Sequence, residues 1–203
     1  METTQSHFLN WFGVVFFIIV YSIVLIFIPF YKKMGKKPVG TYIAFVIAFA
    51  IEMHGIPFSM YLISWVVGKS LPEGVLWGHT LFQSFGYLGM YINIGLAIIA
   101  LFLILNGWYN IYKKYWSKEK GTGTLVKTGI YKYIRHPQYT GLLMLSLGML
   151  IEWATLPLLV LFPVMVVLYV RLAKREEKDM LSEFGGDYKD YMKTTKMFIP
   201  FVV

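Results

Sequence analysis

Cysteine is absent from the 203 residues, so no disulfide frames the fold and the chain carries no record of its redox compartment. Charge is scarce too. Charged residues make up 15% of the chain and hydrophobic ones 57%, where soluble domains have roughly 25% and 45–50%. A soluble domain of this length could not hide so much apolar surface. Acidic residues are the rarer sign, 11 against 19 basic, for a net charge of +8. That excess does not indicate nucleic acid, because the basic residues cluster in short loops beside apolar runs, the signature of membrane topology and anionic lipid. No internal repeat is found, which argues against a transporter built from paired halves. No strand precedes the Gly-rich "GTGTLVKTG", which argues against a dinucleotide-binding βαβ unit. Nothing calls for a metal.

What the chain does have is long uncharged runs, several near the roughly 18–20 residues that span a bilayer. Residues 11–31 carry no charge and read as a first transmembrane helix rather than a cleaved signal, since no basic segment precedes them. Residues 41–67 form a second span, interrupted by Glu52, His54, Gly55 and Pro57, and residues 86–112 a third. Residues 139–172 are long enough for two passes if they fold back at "EWATLP", residues 152–157. The expected fold is all-α: a polytopic membrane helix bundle of about five transmembrane helices, the last two a helical hairpin. Residues 1–112 hold the N-terminal spans and 113–203 the polar loop, the hairpin and the tail. Lysine and arginine crowd the loop at 32–37, the loop after the third span and the tail, which places the N-terminus outside and the C-terminus in the cytoplasm.

Between the third span and the hairpin lies "GIYKYIRHPQYTG", residues 129–141. An interfacial belt accounts for part of it, with Lys132, Arg135 and His136 at headgroup level among tyrosines. Yet Arg135, His136 and Pro137 set a fixed cation, a titratable ring and a backbone constraint at a helix entrance, where unpaired N–H groups welcome an anion. A second polar cluster, "REEKDMLSEFGGDYKDY", holds Glu176 and Glu177 at the end of the last span. Carboxylates there gain nothing from the helix dipole.

These two stretches together carry a resemblance. "LVKTGIYKYIRHPQYTG" followed about forty residues later by "EEKDMLSEFGGDYKDY" resembles the paired signature of the isoprenylcysteine carboxyl methyltransferase and phospholipid methyltransferase superfamily. The first half matches from Leu125 to Gly141 and the second from Glu176 to Tyr191, with Met180 where the pattern has Leu. The resemblance implies an integral membrane methyltransferase using S-adenosyl-L-methionine, in a cytosolic pocket closed by the C-terminal segment. It implies that Leu125, Val126, Gly129, Tyr131, Arg135, His136, Pro137, Tyr139, Gly141, Glu176, Glu177, Tyr188 and Tyr191 form the cofactor site. The methyl donor's carboxylate suits Arg135 and His136, its ammonium suits Glu176 or Glu177, and Tyr131 and Tyr139 suit its adenosine or sulfonium. The partner implied is a lipid or small lipophilic acceptor reaching the site from the membrane.

Two departures bear on that acceptor. The tail reads "MKTTKMFIP" where relatives carry Arg-Val-Pro, with Thr194 at the Arg position. An arginine one turn before the first glutamate orients the carboxylate in carboxyl methyltransferases; here that position is Leu172, and the candidate catalytic residues become Arg171 and Arg175 beside Glu176. Arg171 points about 100° away from residue 172 on a helix. An amine, a phospholipid headgroup or another small nucleophile therefore stays open. Glu52 and His54 are candidate acceptor contacts because ionisable groups at membrane depth are costly and usually functional; a kink at Gly55 and Pro57, with Glu52 bonded to another helix, explains them equally well. Two rival readings remain: an NADPH-dependent enzyme of sterol-reductase-like architecture, and a non-enzymatic lipid-binding protein.

Overall fold

The computed structural model describes residues 87–111, 124–152 and 156–200, with a few isolated positions besides. The spans expected over 11–31 and 41–67, Glu52 and His54 lie outside the described residues. Of the fold-back expected at residues 152–157, residues 153–155 also lie outside them.

Helix α1, Leu88–Ile111, is 24 residues long and has no proline or charge to interrupt it. At 1.5 Å per residue it extends about 36 Å, enough to cross a hydrocarbon core of about 30 Å, and it is apolar enough to do so. Large apolar side chains such as Ile98, Phe102 and Leu105 point away from the described residues. A 3₁₀ turn, Gly129–Lys132, leads to α2, Pro137–Glu152. Pro137 is well placed as the first helical residue, since it forfeits only an N–H that would have had no intrahelical partner. Helix α3, Leu156–Phe184, follows. The ends of α2 and α3 leave a three-residue gap where the sequence predicts a fold-back. The short helix α4, Gly186–Thr194, completes the order. Among the described residues there is no strand, only an isolated bridge from Ile134 to Lys196.

Helices α1 and α2 lie antiparallel along a seam of small residues. A Cβ on Gly141 would stand 2.6 Å from Ile104 Cγ1 and 2.7 Å from the Ala100 carbonyl oxygen. One on Gly148 would stand 2.5 Å from Asn93 Oδ1. Without water to drive helices together, close backbone approach at small residues is what holds apolar helices in contact. At the far end of the seam the Asn93 amide donates to the Glu152 carboxylate.

Helix α3 runs unbroken from an apolar segment into a charged one. Its buried face reads Leu158, Met165, Tyr169, Ala173, Glu176, Glu177 and Met180, spaced at three and four residues as one helical stripe requires. The stripe changes from core to carboxylates without changing direction, and so carries the two glutamates to the Arg-His-Pro segment. The sequence reading placed Glu176 and Glu177 at the end of the last span; the helix continues past them to Phe184, and the rest of the polar cluster continues into α4.

Candidate active site

The chain after α4 turns back on the Arg-His-Pro segment. The Arg135 N–H donates to the Lys196 carbonyl at 2.8 Å and the His136 N–H to the Met197 carbonyl at 3.1 Å. Thr140 Oγ1 donates to the Phe198 carbonyl at 2.9 Å. Arg135 reinforces this latch, giving Nη1 to the carbonyls of Met192 and Thr195. From α4, the Tyr191 hydroxyl donates to the Tyr131 carbonyl at 2.6 Å. Gly129 sits at φ +67°, a left-handed conformation that glycine adopts without strain; a side chain there would also crowd Asn110.

Four ionisable groups meet behind this latch. Arg135 Nε donates to Glu177 Oε1 at 2.6 Å. The His136 ring bridges both carboxylates, with Nε2 3.3 Å from Glu177 Oε1 and Nδ1 3.5 Å from Glu176 Oε2. The Tyr139 hydroxyl donates to Glu176 Oε1, and the Tyr139 ring stacks on His136 at 5.5 Å. Glu176, Glu177 and His136 are all buried, an arrangement that is tolerated only because each charge finds a partner. Burial works against a charged imidazole, but hydrogen bonds and charges from Glu176 and Glu177 outweigh it and hold His136 above its usual pKa. Burial would raise Glu177, yet His136 and Arg135 together bring it below the ordinary carboxylate range. Burial pushes Tyr131, Tyr188 and Tyr191 upward, so their hydroxyls stay protonated and can donate.

In front of the cluster opens a cleft holding about 610 Å³ of empty space, its mouth included. Its apolar lining is Ile111, Leu125, Val126, Met180 and Phe184. Its polar and aromatic lining is Tyr131, Arg135, His136, Gln138, Tyr139, Glu176, Tyr188 and Tyr191. Of the residues singled out in the sequence, Leu125, Val126, Tyr131, Arg135, His136, Tyr139, Glu176, Tyr188 and Tyr191 therefore line a single space. Gly129, Pro137 and Gly141 shape the backbone around it without lining it. Glu177 stands behind the lining, occupied by Arg135 and His136. Arg171 and Arg175 are exposed on the outer side of α3 and do not line the cleft.

The sequence reading missed Gln138, Ile111, Met180 and Phe184. Gln138 left one signal, an amide wedged between Pro137 and Tyr139 where an apolar run begins. Its side chain is only 8% exposed, and its Oε1 accepts from the Tyr131 hydroxyl at 3.1 Å. Its Nε2 has no hydrogen-bond partner. Met180 and Phe184 fall on positions of the second motif but were given no role there, and Ile111 was indistinguishable in sequence from core.

The cleft's chemistry fits a zwitterionic, flat-ringed ligand. Glu176 keeps acceptor capacity beyond its bond from Tyr139, the His136 pKa is held above its usual value, the apolar lining suits a ring, and Gln138 has an unpaired donor. Residues 81–187 match the family profile of the phospholipid methyltransferases. The chain is 30% identical over 134 residues to a methanethiol S-methyltransferase from Crocosphaera subtropica, covering 62% of this chain and 48% of that protein. It is 25% identical over 154 residues to a protein-S-isoprenylcysteine O-methyltransferase from Rattus norvegicus, covering 73% and 53%. The chain thus spans about half the length of the curated relatives it matches. Among solved structures, it resembles a eukaryotic intramembrane Ras methyltransferase, an isoprenylcysteine carboxyl methyltransferase, with a TM-score of 0.44 and 21% identity over 81% of this chain and 67% of that one.

Proposed function

This chain belongs to the phospholipid methyltransferase family, and on that premise we propose that it is a membrane-embedded, S-adenosylmethionine-dependent methyltransferase acting on a lipidic or small membrane-partitioning nucleophile. The observation that carries this reading is His136 between Glu176 and Glu177, with His136 and Glu176 lining a cleft that also has apolar residues in its lining. The catalytic region is residues 113–203, completed by the end of α1 through Ile111. The cleft faces the cytoplasm, where a polar methyl donor is available, and the acceptor enters from the bilayer.

When bound, the methyl donor supplies an electrophilic methyl group on a sulfonium centre. Glu176 would hold its ammonium, while His136, whose ring nitrogens face Glu177 and Glu176, would hold the Glu176 carboxylate in place. The rings of Tyr131 and Tyr139 give the sulfonium electron-rich faces. Leu125, Val126 and Phe184 exclude water from the ring. The protein's remaining task is to align nucleophile and methyl and keep water out, which requires positioning rather than covalent help.

For the acceptor, the exposed placement of Arg171 and Arg175 is informative. Arg135 is the one arginine lining the cleft, and it is committed to Glu177 and the tail. No arginine is then left in the described cleft to orient an anionic group, which favours a thiol, an amine or an uncharged headgroup. Transfer of labelled methyl to a panel of thiols, amines, phospholipids and prenylcysteines tests this. An acceptor lacking a carboxylate should be methylated, and Arg171→Ala and Arg175→Ala should leave its kcat/KM within about twofold of the parent, as surface substitutions do. Methylation confined to prenylcysteine carboxylates, with a loss of about tenfold in either variant, corresponding to one charged hydrogen bond, would reverse the acceptor assignment.

A further inference from the structure

We infer that Gln138 is the residue by which the cleft reads the base of its ligand, selecting adenine through its amino edge. The inference rests on the methyl-donor reading above and concerns a part of the ligand that reading leaves unassigned. Gln138 is more than nine-tenths buried and lines the cleft. Its Oε1 takes a hydrogen bond from Tyr131, while its Nε2 has no partner. Turning the amide by 180° still leaves one end without a partner. A buried polar group left unpaired costs stability that a bound ligand restores.

The amide is also held rigidly. Pro137 fixes the backbone before it, and α1 passes so close that a Cβ on Gly107 would lie 3.4 Å from Gln138 Cδ. A held amide is the side chain that pairs with adenine in two places, donating to a ring nitrogen while its oxygen accepts from the amino group. Gln138 Oε1 retains a second lone pair for that role beside Tyr131. The surroundings match a purine: Tyr131, Ile111 and Val126 form one apolar cluster, with Phe184 packed against it, on the side of the cleft where Gln138 lies. The charged group that would take the amino end is Glu176.

Two probes that differ only on that edge decide the matter: S-adenosylhomocysteine and S-inosylhomocysteine, in which an oxo group replaces the amino group. Their binding is measured by calorimetry to the purified full chain and to Gln138→Met. The Met variant should fold, because the Tyr131 hydroxyl still has the Gly107 carbonyl at 3.3 Å. The parent should prefer the adenosyl ligand by about tenfold or more, the value of a lost buried hydrogen bond. Gln138→Met should bind that ligand about tenfold more weakly and discriminate by no more than about twofold. If the Met variant does not fold, Gln138→Glu keeps the shape and an oxygen for Tyr131 while removing the donor, and its preference should fall below the parent's. A parent that binds both ligands equally, or a folded variant that keeps the parent's preference, overturns the inference and leaves the methyl-donor reading intact. A folded parent that binds neither ligand overturns both.

Discussion

His136, held between two buried glutamates, responds to pH in the opposite sense from Glu177. The His136 pKa is raised in the folded chain because Glu176 and Glu177 outweigh the burial of its ring; Arg135 and Tyr139 are the other groups around it. Its stabilising contribution is therefore fully present below the unfolded value of about 6.5 and is lost as pH rises through the folded value. Glu177, whose pKa is lowered, contributes above its unfolded value and loses that contribution only as pH falls through the folded one. As pH rises from about 6.5, His136 adds a downward slope to the stability. Thermal unfolding of the detergent-solubilised chain should show this slope in the melting temperature above that pH, and His136→Gln should flatten it. Parallel slopes for parent and variant would mean that the ring is not charged in the fold.

Among the elements, the α1–α2 seam holds the site's two halves in register, since α1 brings Ile111 to the cleft and α2 brings Gln138 and Tyr139, with His136 just before its first residue. Its tightest point is Gly141, where an added methyl meets the Ala100 backbone carbonyl as well as the flexible Ile104. A backbone atom cannot give way as a side chain can, so Gly141→Ala should destabilise by about 1–3 kcal/mol, the usual cost of overpacking. Gly186→Ala, where nothing lies within 4 Å, is the control. It should be neutral or stabilising by up to about 1 kcal/mol, the helix propensity difference. Chemical denaturation in detergent measures both, and equal effects would remove the seam's special standing. The extent of α1 was legible in the sequence, because an uncharged 24-residue run has few alternatives. The run of α3 through Phe184 was not. The shift from apolar to charged residues near Arg171 looked like the end of an element, while the helical stripe that continues through it becomes visible only when buried and exposed sides are known.

For the whole molecule, the sequence brought out the two polar clusters, and their meeting followed from the family resemblance rather than from composition. Arg135, His136, Glu176 and Glu177 lie together, but their division of labour was hidden. The two glutamates are neighbours in sequence with the same chemistry, and only packing makes Glu176 line the cleft while Glu177 serves the latch. The return of residues 195–198 along the Arg-His-Pro segment was equally illegible, because backbone hydrogen bonds leave no trace in side-chain type. The same holds for Gln138, whose significance is an unpaired atom rather than a motif. All these features converge on one claim, that the cleft holds a methyl donor against Glu176. Equilibrium binding of S-adenosylmethionine, S-adenosylhomocysteine and NADPH to the purified chain, with Glu176→Gln alongside, tests it most directly. The account predicts that the first two ligands bind, that NADPH does not displace them, and that Glu176→Gln weakens binding by about tenfold or more while the protein stays folded. A folded parent that binds NADPH in their place, or a Glu176→Gln variant that binds the donor as tightly as the parent, would contradict it.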